Sequence, residues 1–170
     1  MNVISGKFKG HNIKSPHDLR THPMGSREKL ALFNMLAPYL ENADVLDAFA
    51  GSGALGIEAL SRGAKTVTFI EKAPKIARTI RENLQSLGLS ADIIISDVKN
   101  AKLDQSFDII IADPPYDHFI LEDVVYLTTF IKDDGILALS HPDVEFEIPG
   151  FRRLSTHKYA SANLSIYIKT

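Results

Sequence analysis

From residue 44 to the C-terminus, short runs of Val, Ile, Leu and Phe alternate with stretches whose apolar residues recur at helical spacing. Runs that are apolar at nearly every position have no face to give to water, so they belong in a parallel sheet covered by helices on both sides. Residues 44–50, 66–71, 91–96, 107–112 and 135–140 are expected as strands, and 54–61, 74–87 and 121–130 as helices. In the second helix Ile76, Ile80, Leu84 and Leu87 keep the 3.6-residue period of a core-facing stripe. The rhythm then breaks. Residues 151–159 and 163–169 are extended runs with only residues 160–162 between them, too few for a crossover helix, so an antiparallel hairpin closes the sheet. The expectation is a Rossmann-like α/β fold with seven strands, mostly parallel.

Residues 1–40 read as an extension on a catalytic domain at 41–170. Residues 2–13, with Gly6 and Gly10, look like a small β-hairpin, and a helix follows at 27–36 with Ser26 as its N-cap and Pro38 as its stop. Charge separates the two regions. Residues 1–34 carry Lys7, Lys9, Lys14, Arg20, Arg27 and Lys29 against Asp18 and Glu28, a balance of +4 that leaves −6 for the remainder of a chain whose total is −2. A basic arm on an acidic body suits a polyanionic partner. The chain has no Cys, which excludes disulfides, thiolate zinc sites and Cys nucleophiles, and no metal site is expected. No apolar run reaches the roughly 18 residues of a bilayer crossing, so the chain is expected to be soluble and cytoplasmic; separately, with nothing in the sequence arguing for a dimer, a monomer is expected.

The segment 45–56 places Gly51-x-Gly53-x-x-Gly56 between a strand and a helix, and Glu71 ends the next strand 20 residues after Gly51. Glycines let the backbone turn sharply and approach a nucleotide, and the acid is placed for ribose hydroxyls. The identity of the nucleotide follows from Asp47, four residues before the turn. A carboxylate there repels a diphosphate but favours the sulfonium and ammonium groups of S-adenosylmethionine. Asp97, at the end of the third strand, is the candidate for the adenine amino group. Phe49 and Ser52 in the turn, Lys72 after Glu71 and Val98 after Asp97 complete the candidate cofactor contacts.

Asp113-Pro114-Pro115-Tyr116 follows the fourth strand, on the ligand-binding edge of an open α/β sheet. A ring amine is a poor nucleophile because its lone pair is delocalised. Two acceptors, the Asp113 carboxylate and the Pro114 carbonyl, can draw it out of the ring plane. The prolines fix the acceptors beforehand, and Tyr116 offers a face to an unstacked base.

With these motifs in place the whole chain resembles the ribosomal small subunit methyltransferase D family. The likeness runs through Ile4-Ser5-Gly6-Lys7-Phe8-Lys9-Gly10, Arg27-Glu28-Lys29-Leu30-Ala31-Leu32-Phe33-Asn34, the turn from Leu46 to Gly56 and the tetrad at 113–116. The resemblance implies a class I fold and S-adenosylmethionine-dependent formation of N2-methylguanine at guanine 966 of 16S rRNA. It also implies docking of the basic arm on rRNA within the 30S subunit or an assembly intermediate, with Lys7, Lys9, Arg20, Arg27 and Lys29 as candidate contacts. The chain departs from the family's Arg-Pro-Thr-Thr-Asp-Arg at residues 20–27, where it reads Arg-Thr-His-Pro-Met-Gly-Ser-Arg. A DNA amino-methyltransferase would share the tetrad, and a non-catalytic RNA-binding module would share the arm. The first would need a target-recognition region, and the second would need neither the glycine turn nor the tetrad.

Overall fold

The computed structural model describes residues 1–16, 24–159 and 162–170. Seven strands form one sheet: β1 (Asp44–Asp47), β2 (Thr66–Glu71), β3 (Asp92–Ile95), β4 (Phe107–Ala112), β5 (Ile131–His141), β6 (Phe151–Lys158) and β7 (Asn163–Lys169). Among the described residues four α-helices accompany them: α1 (Ser26–Leu36), α2 (Ala54–Ser61), α3 (Pro74–Ser86) and α4 (Leu121–Thr128). The spatial order is β3-β2-β1-β4-β5-β7-β6. Strands β1 to β5 pair in parallel, whereas β7 runs antiparallel to both β5 and β6. Among the described residues no helix is long and apolar enough to cross a membrane.

Both faces of the central strands β1, β2 and β4 are buried, which is why these are nearly continuous apolar runs. On one face Val45, Phe69, Ile109 and Ile136 join Leu36 and Ile80 from α1 and α3. On the other Leu46, Ile70, Ile110 and Leu137 join Val124 and Leu127 from α4. Residues adjacent in sequence thus enter opposite layers, as the two-residue period of a strand requires.

Element ends moved where backbone geometry overrode composition. The ladder of β1 stops at Asp47, although Ala48 and Ala50 still donate to Ile111 and Ile70 at 2.9 Å each. Strand β5 starts four residues earlier than its composition suggests, across a register shift against β4 and a left-handed Asp134. Ser26 is the first residue of α1 and not its cap. The Lys29 amide donates to the Gly25 carbonyl at 2.9 Å, which makes Gly25 the cap.

The expected N-terminal hairpin is present but short, an antiparallel bridge between Asn2 and Asn12 flanked by backbone bonds that join Met1 to Ile13 and Val3 to His11. The amides that would have built a longer ladder bind α2 instead. Ile4 and Ser5 donate to the two oxygens of Glu58 at 2.8 and 3.0 Å, Phe8 donates to the Ser61 hydroxyl at 2.9 Å, and Lys7 to the Ser61 carbonyl at 2.7 Å. Val3, Ile13, Leu32, Phe33 and Leu36 belong to the same apolar cluster as the sheet, so the extension shares the core of the domain it precedes. At the far edge β6 carries Arg152, Arg153, His157 and Lys158 and shifts register between Arg153 and Ser155.

Candidate active site

Strand order reverses between β1 and β4, so the chain leaves these neighbours toward opposite sides and opens a crevice at their carboxyl ends. Asp47 ends β1, Glu71 ends β2, and Asp113 follows β4. Asp47 is 1% exposed and its Oδ2 accepts the Gly56 amide at 2.8 Å, tying β1 to the first turn of α2. Burial pushes its carboxyl up to about 7, against the Gly56 bond, with the charges of Asp113 and Glu71 adding to the shift. Burial likewise pushes Asp113 up to about 6, opposed by the Ser140 hydroxyl. No basic side chain among the described residues offsets either carboxyl. Buried carboxyls with no protein counter-ion fit a cationic ligand and reject a diphosphate.

The turn itself is held from two sides. Gly51 and Gly53 take φ of 54° and 80°, and the Gly53 amide closes on the Ala50 carbonyl at 2.7 Å. Glu71 accepts the Gly51 amide at 2.9 Å and the Ala73 amide at 2.8 Å. The acid therefore fixes the turn, with lone pairs left over for a ligand. Gly56 lets α2 lie against β2, because a Cβ there would come within 2.3 Å of the Phe69 ring. Overpacking of this kind costs about 1–3 kcal/mol. Gly56→Ala is expected to lower the thermal midpoint by roughly 3–10 °C. An unchanged midpoint in thermal denaturation would mean that Phe69 moves aside freely.

The other cofactor candidates are sorted by burial. Ser52 is buried, and its carbonyl accepts from Asn83 at 2.9 Å. Phe49 packs partly against the second core layer and Lys72 is exposed. Asp97 caps a one-turn 3-10 helix, with one oxygen accepting the Lys99 amide at 3.4 Å. The Val98 side chain belongs to the core, so only its backbone is available to a ligand.

Within the tetrad, Pro114 is buried and Pro115 is extended, with φ −59° and ψ 126°. The His118 amide donates to the Pro115 carbonyl at 3.0 Å and starts a single 3-10 turn at Tyr116. The Tyr116 hydroxyl is hydrogen-bonded to that of Ser140, near the end of β5, while the residue stays 37% exposed. Burial of the hydroxyl raises its pKa. Tyr116 and Asp113 thus share one partner on the neighbouring strand.

Of the expected RNA contacts, Lys7, Lys9 and Arg27 are exposed, and Arg20 lies outside the described residues. Lys29 is corrected. It is 4% exposed, its ammonium is 3.4 Å from Glu58 and donates to the Asn2 carbonyl at 3.0 Å, and burial lowers its pKa. A phosphate cannot reach it. Sequence reasoning passed over Glu58, Asn83 and Ser140. The first two carried a signal, each being a polar residue in the apolar stripe of its helix. A cavity of about 500 Å³ beside Thr68, Asp92 and Gln105 shares no residue with the crevice.

Comparison with known proteins adds relatives of the same length class. The family model described as Conserved hypothetical protein 95 matches residues 1–168. The chain is 36% identical over 159 residues to the YlbH protein of Bacillus subtilis, covering 88% of this chain and 86% of that one. It is 37% identical over 132 residues to Ribosomal RNA small subunit methyltransferase D of Haemophilus influenzae, covering 74% and 68%. The solved structure of the yhhF protein of Escherichia coli superposes with a TM-score of 0.89 at 27% identity, over 99% of this chain and 97% of that one.

Proposed function

Because the chain belongs to the ribosomal RNA small subunit methyltransferase D family, within Conserved hypothetical protein 95, we propose that it methylates the N2 amine of guanine 966 in 16S rRNA, using S-adenosylmethionine. The observation that carries the cofactor part of this reading is that Asp47, at the β1/β4 crevice, feels the charges of Asp113 and Glu71, with no basic partner for Asp47 or Asp113 among the described residues.

When bound, the cofactor supplies an electrophilic methyl group on a sulfonium. The protein's share is placement. The turn at 51–53 and Glu71 seat the adenosyl portion, and Asp47 balances the positive charge. Asp113 and the Pro114 carbonyl accept hydrogen bonds from the guanine NH₂ and aim its lone pair along the displacement axis. A bound cofactor would supply the methyl group to this amine and leave as its thioether, and the extra proton of the methylated amine would pass to solvent. Tyr116 supports the extruded base. Lys7, Lys9, Arg20 and Arg27 are the proposed phosphate contacts on the 30S subunit or its assembly intermediate, approached by a cytoplasmic monomer.

Isothermal titration tests the cofactor reading. S-adenosylhomocysteine is expected to bind and NAD is not; the reverse would end it. Affinity should also depend on pH with a definite sign. Asp47 must be ionised to balance the ligand's ammonium, and its carboxyl titrates at about 7 in the free protein. Affinity should rise with pH through that value and level off above it, by at most about tenfold per unit below it. Stability of the ligand-free protein should move the opposite way. A carboxyl raised from 3.8 contributes stability that is fully present below about pH 4 and lost as pH rises through about 7. The nucleotide is tested by mass spectrometry of 16S rRNA from cells with and without the gene; an unmethylated guanine 966 only in the latter is expected.

A further inference from the structure

Asn83 lies on the buried face of α3, 1% exposed, and joins three segments that are distant in sequence. Its Oδ1 accepts the Lys14 amide at 2.9 Å. Its Nδ2 donates to the Lys14 carbonyl at 3.1 Å and to the Ser52 carbonyl at 2.9 Å. Both amide protons are used, and no other side chain type offers this pairing of one acceptor with two donors in the same space except Gln, which is one methylene too long. Lys14 lies in the N-terminal arm, just after the buried Ile13, and Ser52 lies inside the glycine turn between Gly51 and Gly53.

The turn's other restraints act on different atoms. Glu71 holds the Gly51 amide, and the Ala50 carbonyl holds the Gly53 amide. Among the described hydrogen bonds, the orientation of the Ser52 carbonyl is set by Asn83. That peptide precedes Gly53, whose carbonyl opens α2 by accepting the Ile57 amide at 2.9 Å. On the arm side, the paired bonds to Lys14 form a two-point clamp of the kind a neighbouring strand would make.

We infer that Asn83 is a positioning residue that couples the N-terminal arm to the cofactor turn, so that seating of the arm and binding of the adenosyl ligand are linked equilibria. This rests on the reading that the turn binds that ligand. When Lys14 is seated, the amide plane is fixed by two bonds and presents its second proton to Ser52. When Lys14 leaves, the amide is free to rotate and the turn loses its orientation. Linkage is reciprocal, so a ligand that needs the ordered turn also favours the seated arm. Contact between RNA and the arm is thereby felt at the cofactor turn with no RNA atom near it.

The test compares four proteins by S-adenosylhomocysteine titration and by amide hydrogen exchange at Gly51 and Gly53. Lys14→Pro removes the N–H that donates to Oδ1, whereas Lys14→Ala keeps it and removes only the surface pair with Glu82 at 3.1 Å. Asn83→Ala removes all three bonds. Losing buried hydrogen bonds of this sort is expected to weaken binding about tenfold in Asn83→Ala and about threefold in Lys14→Pro. Lys14→Ala should stay within about twofold of the parent. Faster exchange at Gly53 should accompany Lys14→Pro and not Lys14→Ala. Equal weakening by both Lys14 variants would assign the effect to surface charge and overturn the coupling, as would unchanged affinity and exchange in Lys14→Pro. Should Asn83→Ala not fold, the Lys14 pair decides alone. If the parent protein fails to bind S-adenosylhomocysteine, the functional reading fails, and the exchange comparison still decides whether arm and turn are coupled.

Discussion

Asp113→Ala is expected to lower methyl transfer to undermethylated 30S particles by about two to three orders of magnitude, the usual cost of removing a preorganised group that meets developing charge. Affinity for S-adenosylhomocysteine should stay within a few-fold, because the turn at 51–53 and Glu71 are held by bonds that do not involve Asp113. Single-turnover assays paired with titration separate the two effects. Near-normal turnover would refute the role assigned to this carboxylate. The parent enzyme should also lose turnover as pH falls through about 6, where Asp113 protonates, loses its charge and becomes a much weaker acceptor for the amine hydrogen. The same variant is expected to be no less stable at neutral pH. A carboxyl raised above its ordinary value contributes stability below about pH 4 that is lost as pH rises through about 6.

The largest effect on stability is expected at Glu58. This carboxylate is 0% exposed and receives Ile4, Ser5, the Arg62 Nε at 2.8 Å and the Lys29 ammonium at 3.4 Å. Glu58→Ala strands a buried ammonium and two partly buried amides at once. Breaking one side of such a pair costs about 3–5 kcal/mol, which for a chain of this size is roughly 10 °C in the thermal midpoint. Glu58→Gln keeps an acceptor but not the charge and should fall between. Exchange of the Ile4 and Ser5 amides should accelerate beyond the global loss, showing release of the arm. A midpoint within about 2 °C of the parent would show that the arm is held by its apolar contacts, Val3 and Ile13, and that the buried network is incidental.

Much of this organisation could be read from residue types. The strands announced themselves because burial on both faces demands apolar residues at every position, as in the run from Ile109 to Ala112. The carboxyl-edge acids followed from their places at strand ends. What stayed hidden depended on contacts between distant segments. Lys29 lies in a charged stretch, and nothing local says that Glu58, nearly thirty residues on, turns it inward. The hairpin at 2–13 is shorter than its sequence suggests for the same reason, since Glu58 and Ser61 take the amides that a longer ladder would use. The early part of β5, Lys132 to Asp134, is polar and so does not look like a strand in the sequence. There Lys132 spans Asp44 and Asp108 at 3.1 and 2.9 Å, a pairing visible only once the strands are adjacent.

The register shift and the basic side chains of β6 have a consequence for behaviour at high concentration. A sheet that ends in a straight row of free donors and acceptors is a template on which a second molecule can add its own strand. Here the last rail is kinked between Arg153 and Ser155 and lined by Arg152, Arg153 and Lys158, while the opposite margin, β3, is only four residues long. Two copies approaching β6 to β6 meet like charge and mismatched spacing, which disfavours strand addition at that margin.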